Sequence, residues 1–198
     1  MVPRTRARAL AGSFVLICAT AVTLAGAQNR GREQFTAFAV NLSNVSSPRG
    51  NNAGSLDIVI ERWSSEGERD RLMTTFVEKG PEALLDALQD VKPRVGYIGT
   101  PNSLGYDLRA AWQESLPEGG RRIVIVTDRR IGFWEARNRP RSIDYPFTLI
   151  EMRLDDDDRG EGKLSLATKV GFSEDRKTIE LENYASQPVL LKNIRKRT

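Results

Sequence analysis

The sequence predicts a mainly β fold (β-rich α+β), about eight to nine mostly antiparallel strands in a small barrel or curled sheet, with one inserted helical hairpin. Two observations carry this. Short apolar runs with period-2 alternation recur along the chain, separated by brief polar links, and short links between strands make antiparallel neighbours. Only over residues 65–91 does the apolar spacing become helical. A sandwich is the competing arrangement.

The elements follow in order. Residues 35–42 alternate and place Phe38, Val40 and Leu42 on one apolar face. Residues 43–55, rich in Ser, Asn, Gly and Pro, form a loop. Residues 56–63 are a second strand with Leu56, Ile58 and Ile60 facing one way. Ser65 stands three before Glu68, the spacing of a capping box. Leu72, Met73, Phe76 and Val77 then make a helical stripe. Gly80 ends that helix and Pro81 starts another, with Leu84, Leu85, Leu88 and Val91 on its stripe. Pro93 stops it. Such narrow stripes cover a sheet or plug a barrel end. Strands return at 95–98 and 106–112, and Glu118-Gly119-Gly120 is a turn. Residues 122–127 are apolar on both faces, as in a central strand. Strands at 147–154, 163–172, 178–183 and 189–194 complete a meander, with hairpin turns at 155–162 and 173–177.

Residues 1–27 read as a cleavable secretion signal. Arg4, Arg6 and Arg8 give a positive start, Leu10 to Leu24 runs without a charge, and Ala25-Gly26-Ala27 supplies the small residues of a cleavage site. The apolar run falls short of the roughly 20 residues of a spanning helix, although an uncleaved N-terminal anchor is the alternative. Cys18 follows Ile17 where a lipobox needs a small residue, so it belongs to the apolar segment. Residues 28–198 then form a single β-rich domain, periplasmic or secreted, with no transmembrane segment in the mature chain. The signal contains three arginines and no acid, so its removal lowers the net charge from +4 to +1. A uniform polyanion-binding surface is not implied, and no nucleic-acid partner is expected.

Residue types narrow the chemistry. The chain has no histidine, and its one cysteine leaves with the signal. That removes Ser-His-Asp and Cys-His catalysis, histidine metal sites and thiolate metal centres. No G-x-S-x-G, phosphate loop, G-x-G-x-x-G or Ser-x-x-Lys motif occurs. Carboxylate chemistry remains, with Asp57, Glu61, Asp128, Glu135 and Asp144 as candidates. No catalytic residue, cofactor or metal ligand is assigned, and the chain leans away from being an enzyme.

The richest segment links the strands at 122–127 and 147–154. It carries Arg129, Arg130, Arg137, Arg139 and Arg141 without a lysine, together with Phe133, Trp134 and Tyr145. Arginine serves planar, bidentate or stacked recognition better than lysine, and links this long are often functional. Arg129, Arg130, Trp134, Glu135, Arg137, Arg139, Arg141, Asp144 and Tyr145 are therefore the candidate ligand-binding residues. The plainer reading pairs the arginines with Glu135 and Asp144 and packs the aromatics on the core. The expected partner is a small anionic or polar ligand, or an envelope component. An envelope scaffold is the alternative, and a carboxylate-based hydrolase a further one. Asp155–Asp158 with Glu161 suits a solvated hairpin tip better than a calcium loop, since adjacent acids alternate in direction. Lys192 and Arg195-Lys196-Arg197 read as a basic, solvated tail.

The runs Gly120-Arg121-Arg122-Ile123, Phe133-Trp134-Glu135-Ala136-Arg137-Asn138 and Asp144-Tyr145-Pro146-Phe147-Thr148-Leu149-Ile150-Glu151, with Trp63-Ser64-Ser65-Glu66 and Gly160-Glu161-Gly162-Lys163-Leu164, resemble hypothetical exported proteins of environmental bacteria. The resemblance would cover most of the mature chain. It implies an exported, bacterial setting and no particular activity, cofactor or ligand.

Overall fold

A computed structural model describes residues 31–40, 53–129, 147–166, 169–172, 179–183 and 188–197. The strands are β1 (Glu33–Val40), β2 (Ala53–Ile60), β3 (Gly96–Gly99), β4 (Tyr106–Leu108), β5 (Ala110–Ser115), β6 (Arg121–Thr127), β7 (Thr148–Leu154), β8 (Arg159–Leu166), β9 (Lys169–Phe172), β10 (Ile179–Asn183) and β11 (Val189–Arg197). Nine of them form one antiparallel sheet in the order β4-β3-β2-β1-β11-β8-β7-β6-β5. Its two ends, β4 and β5, are separated in the chain by Arg109 alone. Arg109 N donates to Val126 O at 2.8 Å, and Thr127 Oγ1 donates to Asp107 O at 2.7 Å. The sheet therefore curls until its ends meet, giving a nearly closed barrel, and closure hides the edges an open sheet would present.

The strand faces explain the curl. Leu56, Ile58 and Ile60 of β2 all point inward and are fully buried. β6 is apolar on both faces, as its sequence predicts. Ile123 and Ile125 join the interior cluster, while Val124 and Val126 join a second cluster outside the barrel, under the helix. In β1 the structure corrects the expected face. Phe35, Ala37 and Ala39 are buried and Phe38 is 43% exposed. The opposite face wins because Glu33, in phase with Phe35, is held inside by Arg121. With a side-chain period of 2, anchoring one residue inward fixes the whole set.

Helix α1 (Glu66–Gln89) begins as the sequence predicts. Ser65 Oγ accepts from Glu68 N at 3.1 Å, and Glu68 Oε2 accepts from Ser65 N at 2.8 Å. Gly80 breaks the helix, with φ 83° and ψ −174°, a backbone region essentially reserved for glycine. The expected hairpin is thus two arms, 66–79 and 81–89, which pack on the outer face of β5–β7 through Leu72, Met73, Phe76, Leu84 and Leu88, whereas Val77 of the expected stripe is exposed and Val91 joins the interior cluster. They cover the sheet; they do not plug the barrel.

Three further expectations are corrected. The strand expected at 163–172 is split: β8 belongs to the barrel, while β9 pairs with β10 in a separate two-stranded ribbon. The turn expected at 155–162 is shorter, since β8 starts at Arg159. The basic residues 195–197 are solvated as expected but are strand rather than tail, because β11 pairs with β1 as far as Arg197 opposite Gln34. β11 lies between β1 and β8, so strands near the two ends of the chain close the barrel together.

Candidate functional site

Strand register gives the barrel two distinct ends. Val40 lies opposite Ala53, Thr127 opposite Thr148, Thr148 opposite Leu166 and Val189 opposite Leu164. The connections 41–52, 100–105, 128–147 and 167–188 therefore all leave from one end, here the loop end. At the other, the floor, the tight turns 116–120 and 155–158 and the entry to α1 are found.

The loop end anchors the arginine-rich segment. Its stem is tied: Thr148 Oγ1 donates to Arg129 O at 3.0 Å, and Thr127, Thr148 and Phe147 are buried. Arg129 itself is exposed. Arg130, Trp134, Glu135, Arg137, Arg139, Arg141, Asp144 and Tyr145 lie outside the described residues. Asp128, at the foot of the segment, is buried. Its Oδ2 lies 3.2 Å from Arg109 Nε, and its Oδ1 has no hydrogen-bond partner among the described residues. Arg109 also reaches Asp107 at 3.6 Å and the carbonyl of Val91, just past α1, at 3.5 Å. A cation suits the end of a helix, so Arg109 ties α1 to the loop-end stem. This role is not legible around Arg109 in the sequence, because two of its three partners, Val91 and Asp128, lie far from it along the chain.

The floor is closed by charge. Arg121 Nη2 lies 2.7 Å from Glu33 Oε2 and 2.6 Å from Asp158 Oδ1. Arg121 Nη1 donates to Gln113 Oε1 at 2.6 Å, and the guanidinium sits 5.7 Å from the Phe35 ring centroid. Lys196 Nζ completes the set at 3.4 Å from Glu33 and 3.3 Å from Asp158. Burial works to lower the Arg121 pKa, but the bonds from Glu33 and Asp158 outweigh it and leave it raised. Two carboxylates of unlike exposure share one guanidinium here, a pairing that can serve acid–base chemistry. The two cations balance them, however, so the cluster works as a neutral seal on the core.

Of the other candidate carboxylates, the described ones are also engaged, while Glu135 and Asp144 lie outside the described residues. Glu61 Oε1 lies 3.0 Å from Arg94 Nη2, and Arg94, which also bonds Asp107, has its pKa raised by these partners. Asp57 lies 4.0 Å from Arg197. In the acidic turn, Asp155 Oδ1 accepts from the N–H of Asp157 and of Arg159, and Asp156 Oδ1 accepts from Gly120 N at 2.7 Å. These acids shape two facing turns. Among the described residues no group of His, Cys, Asp and Glu is placed to hold a metal ion.

Outside the barrel, the two arms of α1 and the face of β5–β7 enclose a wholly apolar groove, lined among others by Leu72, Phe76, Leu84, Leu88, Trp112 and Val126. Its empty space is about 350 Å³, including the open mouth. Among the described residues, no helix is long and apolar enough to cross a membrane. Comparison with known proteins finds no matching family model, no match among curated proteins and none among solved structures.

Proposed function

We propose that this chain is an exported, non-enzymatic domain that binds a small anionic or polar ligand, or an envelope component, at the loop end of its barrel. The observation that carries the reading is the register. It gives the arginine- and tryptophan-rich segment its anchor, at Asp128–Arg129 and Phe147, on the same rim as three other connections. Small barrels of about this strand number either fill their interior or hold one small ligand there. Here the inward side chains pack into one buried cluster, which favours binding at the rim over binding in the lumen. Export rests on residues 1–27 and on the resemblance to exported bacterial proteins. The hydrolase reading is weaker, because Asp57, Glu61 and Asp128 each lie beside an arginine.

Native mass spectrometry of residues 28–198, purified gently from a bacterial periplasm, tests the proposal. A co-purifying small mass that disappears in the Trp134→Ala/Arg137→Ala variant is the expected result. A clean ligand-free mass overturns it. An envelope scaffold is the second reading, favoured by Leu104, fully exposed in the 100–105 connection at the same end. A ligand-free oligomer in the same spectrum would support that reading.

A further inference from the structure

The outer surface of the barrel is covered unequally. α1 lies over β5–β7, whereas the outward side chains of β1, β11 and β8 are exposed or half-buried over most of their length. Register fixes which residues face outward there. Phe35, Ala37 and Ala39 of β1 point into the core, so Gln34, Thr36, Phe38 and Val40 point out. Their partners are Arg197, Arg195, Lys192 and Leu190 of β11. Beyond these on β8 stand Arg159, opposite Arg195, and Lys163, opposite Leu190. The rows of this face extend about 20 Å along the strands.

The charge on it is one-sided. Arg159, Lys163, Lys192, Arg195 and Arg197 share the face with one acid, Glu161, which Lys192 already holds at 2.6 Å. Arg197 reaches Asp57 of β2 only at 4.0 Å. The side chains of Arg159, Lys163 and Arg195 make no ion pair among the described residues. The acids of the neighbouring turn are taken up elsewhere: Asp155 and Asp156 accept from backbone N–H groups, and Asp158 pairs with Arg121 and Lys196. Residues 28–198 carry a net charge of only +1, so the cations are gathered here and not spread evenly. Arg159 and Arg195 even stand directly opposite one another, where like charges repel. Toward the loop end the same face turns apolar. Phe38 is 43% exposed directly opposite Lys192, and Val40 and Leu190 beside it are half-buried.

We propose that this face docks on an anionic lipid surface, with Phe38, Val40 and Leu190 entering the headgroup layer and Lys163, Lys192, Arg159 and Arg195 set against lipid phosphates. Apolar side chains beside lysines and arginines are the make-up of interfacial binding elements, and each basic residue near an anionic bilayer strengthens binding about fivefold. A soluble polyanion would engage the cations and leave Phe38 in water, so the exposed ring favours the bilayer. The face is separate from the loop-end rim and stands whether or not the rim holds a ligand.

Vesicle sedimentation tests this with residues 28–198, which contain every described element and lack the apolar run at 10–24 that would bind lipid by itself. The probes are vesicles of phosphatidylcholine alone and of an equimolar mixture with phosphatidylglycerol. The protein should bind the mixed vesicles and leave the neutral ones. Lys163→Gln/Arg195→Gln should weaken binding about 25-fold, two steps of fivefold. Arg71→Gln/Lys79→Gln, which removes the same charge from exposed positions on α1, should change it little, because salt screens charges beyond about 8 Å. Phe38→Ser should weaken it about fivefold through lost apolar contact. All these side chains are exposed or half-buried, and melting curves confirm that each variant is folded; Lys163→Gln alone, expected fivefold weaker, replaces the double variant should that one not fold. The proposal is overturned if neutral vesicles bind equally well, if the α1 variant loses as much as the sheet variant, or if Phe38→Ser binds like the parent. That last result, together with tight binding to a DNA duplex, would assign the face to a soluble polyanion instead.

Discussion

Arg121 is the residue on which most of the floor depends. It faces two acids, and its side chain is 11% exposed against 7% for Glu33. Breaking a buried ion pair from one side costs about 3–5 kcal/mol, because the partner stays buried without its counter-charge. In Arg121→Ala, Lys196 still stands near both acids, so the loss should fall near the lower limit, about 3 kcal/mol. Lys196 is 36% exposed, and Lys196→Ala should cost less than about 1 kcal/mol. Urea unfolding checks the pair through the shift in midpoint at unchanged slope. Equal losses would mean that burial at the floor is not what gives Arg121 its weight. The neighbouring Gly120 has φ +75°, and a Cβ there would run into the carbonyl of Leu154. That is why the turn before Arg121 reads so clearly in the sequence as Gly119-Gly120.

Among the elements, α1 was the most legible, because its start signal is local. Ser65 and Glu68 satisfy one another's backbone N–H groups, and Arg62 then grips Glu68 with both guanidinium nitrogens at 2.9 Å. The Arg62 bond is the chief reason that the Glu68 pKa lies below its ordinary 4.5, against the opposing effect of burial. A carboxyl depressed in the folded state adds stability above its unfolded pKa and loses it as pH falls through the folded value. Glu68→Gln should therefore be less stable than the parent by about 1 kcal/mol at pH 7. The gap should begin to narrow as pH falls below about 4.5 and close as pH passes through the lower folded value, where the parent carboxyl also becomes neutral. Thermal melts at neutral and acid pH measure this, and a gap independent of pH would contradict it. β6 was legible for a similar reason, since an apolar run on both faces needs cover on both sides. β1 was not. The ion pair that turns Phe35 inward spans 88 residues, and no window of sequence holds both partners. Of the candidate binding residues, the structure describes Arg129 alone and leaves it exposed at the rim.

At the scale of the whole molecule, the alternation of strands and short turns revealed the meander but not how it closes. Closure depends on β11, legible as a strand over 189–194 but not in its extension to Arg197 or in its partners, which lie far from it along the chain. Val189, Leu191 and Ile194 are buried, and their strand supplies the hydrogen-bonding partner of both β1 and β8. Without it the sheet would have two long unpaired edges flanking an uncovered core, and a β domain cannot keep both exposed at once. A chain ending at residue 187 should then show no cooperative thermal transition, even though it keeps α1 and all the other strands. Since β11 joins by main-chain pairing along its length, a peptide of residues 188–198 should restore the transition when added in trans, with a midpoint that rises with peptide concentration, as for strand addition to an open sheet edge. A cooperative transition of the shortened chain by itself would show that the barrel can form without β11, and that the pairing of the first and last strands is a consequence of the fold and not its condition.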